Sequence, residues 1–276
     1  MRFQGAQMME KQYTAEQAPL VNPEEFPEWI LFEDQDLLVM NKPGWLVCHP
    51  SKNGPWSSLV GAGKEYCEVD RLYLAGRLDR ETSGVVLLGK TAPAGKAWQR
   101  AVEKREATRT YLAVLEGELE KTLEVETHLG NDPDSQVFVK QRVTRPSRKA
   151  KLGQTRLQPL ITCNGYTLVM VTTGTGRKHQ IRVHAQWSGH SIVGDKLYGS
   201  DENLYLKFCQ TGWTEELAKA LALPRQALHA ASFGTNEDIF LAPLAIDMKD
   251  FCQNEMGLPS EEIESALDAA KGTPDT

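Results

Sequence analysis

The sequence predicts an α+β protein built on a mixed, mainly antiparallel sheet. Two observations predict it. Short apolar stretches bounded by turn residues recur along most of the chain, and stretches with helical periodicity are few and do not alternate regularly with them. A doubly wound sheet would need that alternation. At 276 residues the chain is long enough for one large domain or two small ones.

The elements follow in order. Residues 1–27 are polar and contain Asn22-Pro23 and Phe26-Pro27, so they read as an acidic arm with little structure of its own. Residues 29–41 read as two short strands around an acidic turn, broken by Lys42-Pro43-Gly44. Trp45–Cys48 reads as a further short strand, and 51–73 as loops around a short helix. After the Thr82-Ser83-Gly84 turn, the run Val85–Leu88 is apolar enough for a buried strand. Residues 93–106 read as a helix, with Pro93 in the first turn and Ala97, Trp98, Ala101 and Val102 on one side. Tyr111–Gly117 and Tyr166–Thr172 are strands, and 123–139 alternate weakly around a turn at 130–134. A short helix is expected over 214–223, ended by Pro224, and a last stretch beginning at Leu228–Ala231 has strand character near 239–246. The domain is expected to span 28–256, with 257–276 as an acidic tail, plausible as a fraying helix.

The net charge is −6, but it is unevenly spread: residues 1–36 carry −6, residues 257–276 carry −4, and the block between them carries +4. Such asymmetry points weakly to nucleic acid. The most basic segment, 140–156, holds Lys140, Arg142, Arg145, Arg148, Lys149, Lys151 and Arg156 with no acid among them. No run reaches the ~20 apolar residues that span a bilayer. No secretory signal is expected, and five scattered cysteines at 48, 67, 163, 209 and 252 fit a reducing cytoplasm.

Several chemistries are disfavoured. Gly174-Thr-Gly176 lacks the spacing of a nucleotide-phosphate loop. His179 and His184 stand five apart, which suits neither a zinc helix nor a finger. Ser83 lacks the nucleophile elbow. What remains is Asp79, set between Arg77 and Arg80 and followed by Thr82-Ser83-Gly84. Taken alone it fits a solvated turn better than a catalyst. An ionised carboxylate at that place suits nucleophilic attack, or stabilisation of a cationic sugar carbon, better than proton donation. Arg177, Lys178, His179, Gln180, Arg182 and His184 fall within eight residues, and helical spacing would put Lys178, Arg182 and Ala185 on one face, presenting donors to an anion.

Set in order, these blocks resemble the RluA family of RNA pseudouridine synthases. Gly76-Arg-Leu-Asp-Arg-Glu-Thr-Ser-Gly84 resembles its signature. Asp36–Pro50 resembles its first motif and Arg109–Gly117 its tyrosine motif. Thr175–His184 with Gly194–Gly199 resembles its third, and Leu228–Ala230 its closing motif. The resemblance implies a catalytic domain of pseudouridine synthase type, with helices and loops around an RNA-binding cleft, and neither metal nor organic cofactor. It implies that Asp79 is the catalytic aspartate, that Tyr111 stacks on the flipped uracil and takes part in late proton transfer, and that Arg182 ion-pairs with Asp79. Arg77 would fill the gap left in the RNA, with Thr82, Arg177, Lys178, His179 and Gln180 as substrate-binding residues. The implied partner is rRNA or tRNA, met by a monomer; a silent RNA-binding relative and a nucleoside or glycoside hydrolase are the alternatives. Gly76 departs from the family's His, and Gly44 follows Pro43 one place early. The stretch before the first motif is too short for the S4 domain many relatives carry, so recognition is expected to rest on the catalytic domain.

Overall fold

The computed structural model describes residues 19–49 and 53–271. In chain order, after a 3-10 turn at Phe26–Trp29, the elements are β1 (Ile30–Glu33), β2 (Leu37–Lys42), α1 (Leu59–Cys67), β3 (Tyr73–Leu74), β4 (Ser83–Gly89) and α2 (Ala92–Glu103). A run of strands follows: β5 (Thr108–Glu116), β6 (Leu123–Asn131), β7 (Gln141–Thr144), β8 (Lys151–Cys163) and β9 (Tyr166–Thr173). The remainder is α3 (Gln180–Trp187), α4 (Asn203–Thr211), α5 (Glu215–Ala220), β10 (Leu228–Gly234), β11 (Ile239–Leu241), α6 (Ile246–Asn254) and α7 (Ser260–Ala269).

The strands form one sheet in the order β1-β2-β4-β10-β5-β9-β8-β6-β7, with β3 pairing β4 and β11 pairing β10. Among the described residues the pairs are antiparallel except β4–β10, where Ser83 lies opposite His229 and Gly84 opposite Ala230. The mixed, mainly antiparallel α+β reading therefore holds. β10 is inserted between β4 and β5 and so joins the two ends of the sheet.

β2 and β4 are buried on both faces, which is why they read as continuous apolar runs rather than alternating ones. Leu38, Met40, Val86 and Leu88 meet Leu59 and Ala62 of α1 on one side. Val39, Val85 and Leu87 meet Trp98 of α2 and Phe233 of β10 in a separate cluster. α2 is capped by the Thr91 hydroxyl, which accepts from Ala94 N–H, and Pro93 falls in its first turn.

Five expectations change. Trp45–Cys48 is not a strand, although Trp45, Leu46 and Cys48 are buried. Its carbonyls at Val47 and Cys48 accept from the Leu59 and Val60 N–H groups, so its backbone partners are the free amides that begin α1. Residues 1–18 of the expected arm lie outside the described residues, but 19–27 are fixed. Phe26 is fully buried, and Val21 N–H donates to the Trp56 carbonyl at 2.7 Å. The acidic tail is likewise part of the core: α7 buries Ile263 and Ala266, and the Ala270 carbonyl accepts from Ser232 Oγ on β10 at 2.7 Å. β11 ends at Leu241, two residues before Pro243, so strand character does not run to 246. Finally, α3 starts at Gln180 with His179 left-handed before it (φ 56°), so Lys178 lies in the preceding turn and shares no helical face with Arg182. Among the described residues no helix is long and apolar enough to cross a membrane.

Candidate active site

The turn that carries Asp79 joins β3 to β4 and is fastened on nearly every residue. Leu78 N–H donates to Cys48 Sγ at 3.4 Å, and Thr82 N–H closes the turn on the Asp79 carbonyl at 3.2 Å. Three buried cations then hold its far side. Lys42 Nζ donates to the carbonyls of Pro43, Leu46 and Arg80 at 2.8, 2.8 and 2.9 Å. Arg225 donates to the Glu81 carbonyl at 3.1 Å while its other nitrogens grip Asp247 at 2.5 and 2.6 Å. Lys196 pairs with the Glu81 carboxylate at 2.9 Å. Burial lowers the Lys42 ammonium to a pKa of about 7, and each of its three N–H donors has a carbonyl waiting.

Where β4 begins, Gly84 has φ 108°, and a Cβ there would lie 2.2 Å from the Ala230 carbonyl oxygen. Only glycine allows this close parallel approach. The Ser83 hydroxyl beside it meets His229 Nδ1 at 2.9 Å.

Facing the turn, α3 presents Arg182. Its Nη1 lies 3.3 Å from Asp79 Oδ2, and its Nε and Nη2 hold Asp195 at 2.6 and 2.8 Å. Asp195 is fully buried; its Oδ1 also accepts from the Leu197 and Tyr198 N–H groups, both at 3.0 Å. Burial works against both charges. The pairing overcomes it, so the Arg182 pKa is raised and that of Asp195 lowered. The Tyr198 ring lies 4.8 Å below the Arg182 guanidinium, and its hydroxyl meets His179 Nδ1 at 2.8 Å. His179 Nε2 stands 4.0 Å from Asp79, but burial, then Arg182, lower its pKa to about 4, so it is neutral near pH 7. Asp79 itself keeps a quarter of its side chain exposed. The result is an ionisable carboxylate, open to a cleft, beside a cation that a second carboxylate keeps in place.

All nine residues singled out from the sequence line that cleft: Arg77, Asp79, Thr82, Tyr111, Arg177, Lys178, His179, Gln180 and Arg182. They do not all offer free groups. Gln180 Nε2 donates to the Gln154 carbonyl and Thr155 Oγ1, and its Oε1 accepts from Thr175 Oγ1 and Arg177 N–H. Thr82 is buried and its hydroxyl accepts from Gln226 at 2.9 Å. The Gln180 amide is thus engaged within the wall, and the Thr82 oxygen is held by Gln226. Arg77 is exposed at the rim, and Tyr111 stands half-buried in β5, between Ala230 and Val171 of the flanking strands. Burial, then Arg77, lower the pKa of Lys178. In the basic segment, Lys140, Arg142 and Arg156 are tied to Glu202, to Asp132 and Asp134, and to Glu124. Arg145, Arg148, Lys149 and Lys151 are exposed and make no ion pair among the described residues.

Sequence reasoning missed Lys42, Asp195, Tyr198 and Arg225 as site residues. Asp195 and Tyr198 stood inside the third motif, and Lys42 inside the first, but nothing local announced their partners. Arg225 carried no signal.

A fastened carboxylate and a paired arginine in a cation-walled cleft define an enzyme that acts on a polyanion. The family model described as RNA pseudouridylate synthase matches residues 36–187. A ribosomal large subunit pseudouridine synthase D of Nitrosomonas europaea is 32% identical over 256 residues, covering 88% of this chain and 70% of that one. The protein of that name from Vibrio vulnificus is 31% identical over 255 residues, covering 86% and 75%. An uncharacterized RNA pseudouridine synthase of Mycoplasma pneumoniae is 36% identical over 186 residues, 65% of this chain and 58% of its own. Among solved structures, Human RNA Pseudouridylate Synthase Domain Containing 4 aligns with TM-score 0.68 at 23% identity, covering 84% of this chain and 95% of that one. It shares the fold. The chain belongs to the RNA pseudouridylate synthase family, isomerases acting on RNA uridines.

Proposed function

We propose that this protein isomerises uridine to pseudouridine in large-subunit ribosomal RNA, with Asp79 acting at C1′ of the flipped nucleotide. The observation that carries the reading is the Asp79–Arg182–Asp195 chain at the mouth of the cleft. The ribosomal substrate is taken from the names of the relatives.

The chemistry breaks the N1–C1′ bond and forms a C5–C1′ bond; C5 loses its proton and N1 gains one, so nothing is oxidised or reduced. A carboxylate serves the sugar carbon when it is accessible and held in place; Asp79 keeps a quarter of its side chain exposed, and Arg182 Nη1 donates to its Oδ2 at 3.3 Å. Tyr111, on the central strand, supplies the ring against which the detached base turns. Arg77, exposed at the rim, is placed to enter the vacated stack. Extracting the base costs a few kcal/mol, which phosphate contacts along the cleft offset.

The test is tritium release from ribosomal RNA labelled at uridine C5. Wild type should release tritium without freeing uracil, and Asp79→Asn should not. Release by Asp79→Asn would remove the aspartate from the mechanism. Free uracil would indicate a hydrolase, and no release by wild type a silent RNA binder.

A further inference from the structure

Arg109, a partly buried residue, stands apart from the buried arginines. Arg182 and Arg225 each hold a carboxylate. Arg109 holds none: its Nε and Nη2 are buried with no hydrogen-bond partner. It is a residue of the cleft wall, two positions before Tyr111 on β5, and residues two apart on a strand share a face.

The guanidinium is held by shape. On one side it lies 4.2 Å from the centre of the Phe233 ring, which is opposite it in the β5–β10 register and itself packs on Trp98. On the other side is Gly76. A Cβ at residue 76 would stand 3.2 Å from Nη2 and 3.3 Å from Nη1. A Cβ there already requires the guanidinium to give by a few tenths of an ångström, and a side chain reaching beyond Cβ would crowd it further. The glycine that departs from the family's signature thus makes the room that Arg109 occupies.

Two desolvated guanidinium nitrogens without partners are costly unless a ligand completes them. A planar fork matches two oxygens of a phosphodiester, and Arg77, Arg177 and Lys178 line the same cleft. We propose that Arg109 is a further substrate-binding residue, taking a backbone phosphate of the RNA strand that carries the target nucleotide, with Gly76 and Arg109 acting as one unit. This rests on the reading of the cleft as an RNA site.

The test measures binding of a short oligouridylate to the full chain across a salt series. Arg109→Met keeps the stem against Phe233 and removes the charge. It should weaken binding by about tenfold and reduce the slope of log affinity against log salt by roughly 0.7. Arg109→Lys should restore the slope and only part of the affinity. Gly76→His should weaken binding in the wild-type background and add little in the Arg109→Met background.

An unchanged slope for Arg109→Met overturns the phosphate assignment, even if affinity falls, since an interaction with a base carbonyl would leave the slope intact. Additive effects of the two substitutions overturn the paired role. Both readouts are independent of catalysis, so absence of tritium release by wild type would refute the isomerase reading without touching this one.

Discussion

Replacing Asp195 by Asn tests whether the site is held by a buried charge relay. The side chain is fully buried and accepts from Arg182 Nε at 2.6 Å on Oδ2, and from Arg182 Nη2, Leu197 N–H and Tyr198 N–H on Oδ1 at 2.8, 3.0 and 3.0 Å. An Asn in the same rotamer keeps Oδ1 and its three donors. It places an amide donor against Nε–H, where an anion had been. Arg182 is then a buried cation whose remaining anionic neighbour is Asp79 at 3.3 Å. Removing one partner of such a pair costs about 3–5 kcal/mol, against about 1.5–3 for one charge-assisted bond, so the unpaired charge sets the scale. For a chain of this size that is a fall in Tm of roughly 6–20 °C. Arg182 is also drawn from its place, and a displacement of ~1 Å near reacting atoms costs about a hundredfold in rate. Urea unfolding followed by tryptophan fluorescence, with single-turnover tritium release on the folded fraction, reads both. A variant within about 1 kcal/mol of wild type that turns over at the same rate would show that Asp195 does not position Arg182.

Three further outcomes follow from the geometry. Gly84→Ala combines a left-handed φ with overlap on the Ala230 carbonyl, and should lose roughly 2–5 kcal/mol in denaturant titration; a loss below about 1 would mean that β4 and β10 can separate freely. Burial lowers the pKa of His184 and His229 from 6.5 to about 4, helped at His229 by Arg225. The unfolded chain takes up these protons first, so the stability is present above 6.5 and is lost progressively as pH falls toward 4. His229→Gln should flatten that pH dependence, and an unchanged dependence would count against a neutral buried imidazole. Replacing Arg145, Arg148, Lys149 and Lys151 together by Ala should leave the fold intact, because all four are exposed, and flatten the salt dependence of RNA binding by roughly 0.7 for each phosphate these cations neutralise. An unchanged slope would place those cations away from the RNA.

The sheet was legible where burial imposed a simple pattern. β4 and β9 are apolar runs between turns, and both stand where the sequence puts them. Trp45–Cys48 shows the limit of that signal: burial makes a run apolar, but only the backbone partner decides whether it is a strand, and here the partner is a helix start. β8 was hidden because Lys151 and Arg156, its exposed charges, dominate the segment's composition. At the site, Asp79 and Arg182 announced themselves through the company they keep within a few residues. The groups that hold them did not, because each acts at long range. Lys42 reaches Arg80 across 38 positions, and Arg225 reaches Glu81 across 144. A lysine beside a proline has many uses, and nothing in its neighbourhood specifies which carbonyls it will meet. The acidic ends misled in a simpler way. Among the described residues their acidic side chains are exposed, while Phe26 and Ile263, which fasten them to the core, are buried.

The parallel pairing of β4 with β10 also carries a consequence for how the enzyme comes into being. Ser83 and His229 are 146 positions apart, and β10 is the strand that closes the gap between β4 and β5. During synthesis at about 5–20 residues per second, the Asp79 turn therefore waits on the order of ten seconds before its neighbouring strand exists. Until then β4 and β5 present open edges, and the Asp79 turn lacks the strand that anchors it. Activity should arrive abruptly, when the last quarter of the chain leaves the ribosome, and a chain truncated before Leu228 should yield an aggregation-prone sheet edge rather than a slow enzyme.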